Sequence, residues 1–359
     1  MEADRKPSHG KRLQTPQGGR GGQNPTLRDI AEAAGVSTAT VSRVLNSPDA
    51  VRPALRERVS RTIAELGYVP HGAARALASQ RSRTIGAIIP TLDNAIFAAG
   101  IEAFERRLDQ DGYTLFVALS DYDPQHELRH MRGLLGRGVD GMLLVGGLHE
   151  AASYDLIRRQ GRPYVNTWVH DPRGGHPCIG FDNRSASRRA AEHLLDLGHR
   201  RIAMIAGVLA FNDRARERVA GVRDALAARG LDLADADLVE RRYDIAEARQ
   251  AMGQLLEGPR PPSAVVCGND VQAIGALLEC QARGVAVPGQ VSIIGFDDLP
   301  LTAHLAPALT TMHVPSRDMG RRAAEYLLDR LAGRPAAPAL ELAVDLVVRG
   351  TTGPAPKGV

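Results

Sequence analysis

Cysteine is scarce in this chain of 359 residues: Cys178, Cys267 and Cys280 are the whole complement, and no two stand in a CxxC spacing. Three such residues cannot build a disulfide framework, so a reducing cytoplasm is the expected setting. Long apolar runs are missing too. None approaches the ~18 residues a membrane span needs, and the opening MEADRKPSHGKRLQ lacks the apolar stretch of a signal peptide. Neither a membrane protein nor a secreted one is expected. Aromatic residues make up only 4%, with a single tryptophan, while Ala, Leu, Val, Ile and Gly dominate. That mix suits helices packed on parallel strands better than an all-β sandwich. There is no P-loop, no GxSxG elbow and no evident Ser/His/Asp set, so no catalytic residue and no cofactor are expected.

What is present reads as a globular chain, with 43% hydrophobic and 24% charged residues. At roughly 150 residues per domain, two or three domains are expected. The net charge of +4 is unevenly placed: residues 1–80 hold 12 Lys and Arg against 7 Asp and Glu, and the remainder holds 33 against 34. A small basic head on a near-neutral body suits a polyanion-binding module on a larger domain. Residues 1–24 are rich in Gly, Gln and basic side chains without apolar periodicity, and are expected to be a disordered basic tail.

Residues 26–46 read TLRDIAEAAGVSTATVSRVLN. Thr26 with Asp29 three residues on predicts a capping box on a first helix ending near Ala34. Gly35 supplies the tight turn, and Ser37 caps a second helix ending near Asn46. Ile30, Ala34, Val36, Val41 and Leu45 fall on one side as a shared core. A third helix is expected from Pro53 to Leu66, with Leu55, Val59, Ile63 and Leu66 at helical spacing. The second helix would present Thr38, Ala39, Thr40, Ser42 and Arg43 outward, short or hydrogen-bonding side chains that let a helix lie deep in a major groove. Arg43 is the long donor suited to guanine. Ser37 and the free N–H groups at that helix start suit a phosphate. Thr26 and Asn46 complete the candidate DNA-facing set in a domain spanning 25–69. A generic helical hairpin would share the pattern up to this point.

This segment, followed by ELGYVPHGAARALASQRSRTIGAIIP, resembles the N-terminus of the lactose-repressor (LacI/GalR) family of bacterial transcription regulators, and the likeness runs through nearly all of 26–350. The resemblance implies that Thr38, Ala39 and Arg43 contact bases. It also implies that 71–79, within a linker at 70–82 that carries Ala74 and Leu77, is a hinge helix folding on operator DNA, with Leu77 wedging between base pairs. AARALAS has helical propensity but is too short to be stable alone, and an apolar wedge is a known minor-groove device. The alternative is that Leu77 packs on the following domain. Arg52 stands where Ser or Thr usually caps the third helix, and His71-Gly72 replaces a polar, helix-compatible pair.

From residue 84 short apolar runs of strand length alternate with helical stretches: TIGAIIP, YTLFVAL, DGMLLVG and PYVNTW, then RIAMIAG, AVVCGND and VSIIGFDD. Helices are expected near 95–111, 124–138, 150–161, 213–229 and 270–283. TTMHVP, a helix to about Leu331 and a strand near 342–348 close the series. The expected fold is an all-α helix-turn-helix head plus an α/β body of doubly wound parallel sheets over 83–350, with 351–359 a flexible tail. Two lobes joined by three crossovers, as in periplasmic binding proteins, are implied by the resemblance alone. Ligands bind beyond the carboxyl ends of such strands, which selects Asp93, Trp168, Arg218, Asn269, Asp270, Asp297 and Asp298, with Phe97 and Tyr243 available to cover an apolar face. The resemblance places Phe97, Arg218, Asn269 and Asp297 in an effector cleft. Asn269 and Asp270 also read as caps of the helix that follows. PTLDNAIFAAGIEAFE, SDYDPQHE and VGGLHE look most like the gluconate-repressor branch, which implies a sugar or sugar acid as effector, with Arg218 on the acid group.

One motif points elsewhere. His126-Glu127-Leu128-Arg129-His130 matches HExxH, the zinc-protease signature. Leu128 and Leu135 are expected to mark the buried face of that helix, with both histidines roughly opposite and no clear third ligand, so no metal is expected. A solute-binding protein would share the body but need an export signal and no head; an enzyme with a regulatory DNA domain would turn over a sugar. The expected partners are double-stranded operator DNA, a small-molecule effector and a second copy of the chain, as a homodimer without a coiled-coil tail, acting as a repressor.

Overall fold

The computed structural model describes residues 24–69, 81–93 and 95–357. They fall into two compact units that part at Gln80 and Arg81. The basic tail up to residue 23 and the hinge with Ala74 and Leu77 lie outside the described residues.

In the first unit α1 spans Leu27–Ala34, with the capping box between Thr26 and Asp29 formed in both directions. Gly35 then takes φ 62°, a left-handed turn that a side chain would strain. Helix α2 spans Thr38–Asn46, and the Ser37 hydroxyl accepts the Thr40 N–H at 3.2 Å. Helix α3 spans Pro53–Leu66 with Pro in its first turn; Arg52 gives it no side-chain cap. Ile30, Ala31, Ala34, Val41, Val44, Val51, Val59 and Tyr68 form the core, with Val36, Leu45, Leu55 and Ile63 packed partly against it. Two expectations about this core differ from the structure. Val44 rather than Leu45 is fully buried, and Leu66 is exposed while Thr62 turns inward, its hydroxyl donating to Arg58 O.

The second unit holds two six-stranded sheets. The first contains β1 (Thr84–Ile89), β2 (Thr114–Leu119), β3 (Gly141–Val145), β4 (Tyr164–Thr167), β5 (Cys178–Gly180) and β11 (Ala339–Glu341), in the order β11-β5-β4-β3-β1-β2. All its pairings are parallel. The second contains β6 (Ile202–Ala206), β7 (Leu238–Glu240), β8 (Ala264–Cys267), β9 (Ser292–Asp297), β10 (Thr310–His313) and β12 (Asp345–Val347), in the order β12-β10-β9-β8-β6-β7. It is parallel except where β12 runs against β10. Continuous burial along β1, β3, β6, β8 and β9 fits sheets covered on both faces.

Helices α4 (Ala95–Asp109), α5 (Pro124–Gly136), α6 (Ala151–Arg159) and α11 (Ser316–Leu331) serve the first lobe. Helices α7 (Asn183–Asp196), α8 (Asp213–Ala227), α9 (Ile245–Glu257) and α10 (Asp270–Ala282) serve the second. Glycines let two helix pairs touch backbone to backbone: a Cβ on Gly320 would lie 2.0 Å from Gly100 O, and one on Gly221 2.1 Å from Arg184 O. The chain passes between lobes three times, from β5 into α7, from β10 into α11, and from β11 to β12.

Helices α7 and α9 and strands β5, β7 and β11 go beyond the elements expected from the sequence. The inward stripes of α7 (Ala186, Ala190, Ala191, Leu194) and α9 (Ala248, Ala251, Met252, Leu255) are largely alanine, a weak hydrophobic signal. The expected flexible tail is also corrected. Thr351 is fully buried, accepts the Thr310 N–H at 2.8 Å and donates to Ile293 O at 2.7 Å, and the Ala355 N–H reaches Leu197 O. Residues 351–357 belong to the second lobe because they satisfy backbone groups along β9 and β10 that would otherwise be buried without partners.

Candidate functional site

The outward face of α2 carries the expected set. Thr38, Ala39, Arg43 and Asn46 are exposed, and Thr40 and Ser42 half-exposed. Ser37 and Thr40 share a hydroxyl contact at 2.9 Å, and Asn46 donates to Ser42 at 3.2 Å, so short polar groups are ordered around one long cation. Burial of Val41 and Val44 fixes that rotation of the helix. Thr26 stands apart at the start of α1, its hydroxyl engaged with Asp29.

In the body, Phe97, Trp168, Arg218, Tyr243, Asn269 and Asp297 line one narrow cavity, together with Tyr122 and Arg214. All of these but Arg218, which lies in the second turn of α8, sit where a strand ends or a helix begins. Tyr122 follows β2, Trp168 β4, Tyr243 β7 and Asn269 β8; Asp297 ends β9; Phe97 lies in the first turn of α4 and Arg214 in that of α8. The rule of carboxyl ends therefore holds in both lobes. Asp93 is the exception: it is exposed, its N–H bonded to the Thr91 hydroxyl, and it does not line the cavity. The loop after β1 carries it outward before α4 begins. Asp270 and Asp298 also stay out. Asp270 accepts from the Thr311 hydroxyl and the Leu299 N–H, and Asp298 pairs with Arg349 and His313.

Three polar atoms on this lining are buried with no hydrogen-bond partner within the protein: Trp168 Nε1, Asn269 Nδ2 and Asp297 Oδ1. Such atoms cost free energy unless something meets them. Two donors and an acceptor on one small cavity, beside the edge-on rings of Phe97 and Trp168 (centroids 5.1 Å apart), describe a site for a compact polar ligand with hydroxyl groups. Asn269 also caps α10, accepting the Gln272 N–H at 2.9 Å, so both readings of that residue hold together.

Arg218 does not stand ready for a ligand's acid group. Its Nε donates to Asn183 Oδ1 at 2.9 Å, its Nη1 to Gly268 O at 2.6 Å, its Nη2 lies 4.0 Å from Asp297 Oδ1, and its guanidinium carbon stacks 3.7 Å over the Phe296 ring. Asn183, which the sequence did not single out, ties this arginine to Trp168 O at 2.9 Å. Arg218 thus positions the lining. Burial pushes the Asp297 carboxyl well above the usual range, against the opposing pull of Arg218. Asp297 therefore takes up a proton more readily in the folded state than in the unfolded one. The stability this contributes is present below its ordinary value and falls as pH rises through the folded one. Asp297→Asn removes the ionisation, so its melting temperature should gain on the parent as pH climbs from about 5 to about 8. A difference that stays constant over a Tm series would count against burial as the controlling influence.

Between the lobes, the start of α8 reaches the loop after β3. The Gly147 N–H donates to Asp213 Oδ2 at 2.6 Å, and Arg214 Nη1 donates to Val145 O at 3.2 Å and to Asp213 Oδ1 at 2.8 Å. Gly146 has φ 94°, and a Cβ there would lie 2.0 Å from Arg214 Nη1, so this strap requires glycine. The HExxH segment opens α5. Its inward face is Leu128, Met131 and Leu134, not Leu135. Glu127 is bonded to His149 Nδ1 at 2.8 Å, and His126 lies near Asp121 and Asp123. Among the described residues no group of three or more His, Cys, Asp or Glu is placed to hold a metal ion, and no helix is long and apolar enough to cross a membrane.

A helix-turn-helix unit and a two-lobed α/β body with a polar cleft define a ligand-responsive DNA-binding protein. Residues 26–71 match the family of bacterial regulatory proteins of the lacI type, and residues 191–352 match a periplasmic binding protein-like domain. The HTH-type transcriptional regulator GntR of Pseudomonas aeruginosa is 36% identical over 330 residues, covering 91% of this chain and 96% of the relative. A crystal structure of a LacI-family regulator from Silicibacter pomeroyi superposes with a TM-score of 0.84 at 31% identity, over 91% of this chain and 99% of the other. The lac repressor dimer bound to operator and an anti-inducer gives a TM-score of 0.82 at 29% identity, over 92% and 100%. The chain belongs to the lacI family of bacterial transcription regulators; it is a DNA-binding regulator and not an enzyme.

Proposed function

We propose that this protein is a cytoplasmic repressor that binds a near-palindromic operator as a homodimer and releases or grips it according to a sugar or sugar acid held between its lobes. Each α2 reads a half-site in the major groove, and the hinge with Ala74 and Leu77 docks in the central minor groove. The single observation that carries the effector half of this reading is the set of three buried polar atoms without a hydrogen bond on one cavity that both lobes line. Control then follows if the effector binds the DNA-competent and incompetent arrangements with different affinity. The dimer bound to operator among the similar structures supports the assembly.

Selection from randomised duplexes, repeated with a panel of sugars and sugar acids, tests the whole. An enriched near-palindrome whose binding changes with one metabolite is expected; no enrichment with or without metabolites would refute it. With the operator in hand, Arg43→Ala should cost about 1–3 kcal/mol and relax preference at the base pair it addresses. An unchanged base preference in the repeated selection would remove α2 as the reader.

A further inference from the structure

The cavity is lined by two guanidinium groups, Arg214 and Arg218, against one carboxyl, Asp297, so basic side chains outnumber acidic ones on the lining itself, which suits an anion. The two arginines are not equivalent. Arg218 is locked on four sides by Asn183, Gly268 O, Asp297 and the Phe296 ring. The hydrogen bonds of Arg214 to Val145 O and Asp213 Oδ1 leave from a single nitrogen, Nη1, and Arg214 lines the cavity beside Tyr122. Arg214 also lines the neighbouring cavity formed by Pro90, Ser120, Leu148 and Phe211. It stands at the neck of the cleft, with its main chain on one lobe and its Nη1 on the other.

We propose that Arg214 is the anion-recognising residue of the effector cleft, and that the same guanidinium straps the end of β3 to the start of α8. An effector with a carboxylate or phosphate next to its hydroxyls is thereby selected over the matching neutral polyol. Its charged group gives Arg214 a charge-assisted, two-point partner, in competition with the Val145 carbonyl and the Asp213 carboxylate that its Nη1 now holds. Recognition of the charge and the contact between lobes are then one event, because the ligand competes for, or adds to, the group that joins them. The proposal rests on the reading of the cleft as a sugar or sugar-acid site and names which class of the two it takes.

The test uses the full chain with D-gluconate and D-glucitol as probes, which share a six-carbon polyol and differ in the carboxylate. Trp168 is the only tryptophan and lines the cavity, so its fluorescence reports both titrations. The parent should bind gluconate at least ~10-fold more tightly than glucitol, Arg214→Met should bring that ratio near one, and Arg214→Lys should restore part of it. Glucitol binding by Arg214→Met shows that its cleft is folded; if it binds neither probe, the ratio for Arg214→Lys decides. A preference for gluconate that survives in Arg214→Met, no preference in the parent, or no binding of either probe by the parent at millimolar concentration would each overturn the assignment. A parent that prefers its operator and responds to a neutral sugar would overturn this assignment alone, whereas loss of operator preference would overturn the functional reading.

Discussion

Arg218→Ala is expected to lower stability by about 3 kcal/mol or more, not only to blunt a ligand response. Removing the side chain strands Asn183 Oδ1 and Gly268 O in a buried setting and uncovers the Phe296 face. Each stranded buried polar group costs about 1–3 kcal/mol. Asn183 would lose one of its two anchors and with it the hold on Trp168 O. For a body of this size the melting temperature should fall by roughly 6–12 °C. Thermal unfolding followed by circular dichroism measures this directly. A variant that melts with the parent would show that Arg218 is a peripheral contact of the cavity and not its keystone.

The second large effect is expected from Gly320→Ala in α11, where a methyl group would meet Gly100 O at 2.0 Å and Phe104 N at 3.1 Å. These are backbone atoms of α4, so no side chain can swing aside, and the helices must separate. Overpacking of this kind costs about 1–3 kcal/mol and occasionally more; contact with two main-chain positions of α4 puts Gly320→Ala at about 3 kcal/mol. Separation would also disturb the cavity, because α4 carries Phe97 and Met319 of α11 accepts the Trp168 N–H. Gly136→Ala is the matched control. It ends α5 with open space around its Cβ position, and alanine there should be neutral or mildly stabilising. Equal melting temperatures for the two variants would contradict the close crossing.

Much of this was legible in the sequence, and the reasons differ by element. Thr26, Asp29, Gly35, Ser37 and Pro53 punctuate the three helices by local chemistry alone, so their boundaries could be read from neighbours in the chain. Trp168, Asn269 and Asp297 could be found because strand ends are recognisable as apolar runs followed by Asn, Asp or Trp. Arg214 and Tyr122 were missed for the opposite reason. Arg214 is one of many arginines at a helix start, and only the approach of the other lobe gives it a partner in Val145 O. The roles of Asn183 and of Thr351 likewise depend on residues tens of positions away, which periodicity cannot report. Arg218 lines the cavity, but its partners Asn183, Gly268 O and Phe296 are set by tertiary packing, which no local pattern reports.

The three passages between the sheets mean that no continuous stretch of polypeptide makes a whole lobe. The first draws on residues 81–180 and 316–341, the second on 183–313 and 345–357. A protease nick in any one connecting strand would leave both halves pinned by the other two, so a clipped molecule should run as intact on a sizing column and separate only in denaturant. Expressing either lobe by itself would require splicing two distant segments through a new linker.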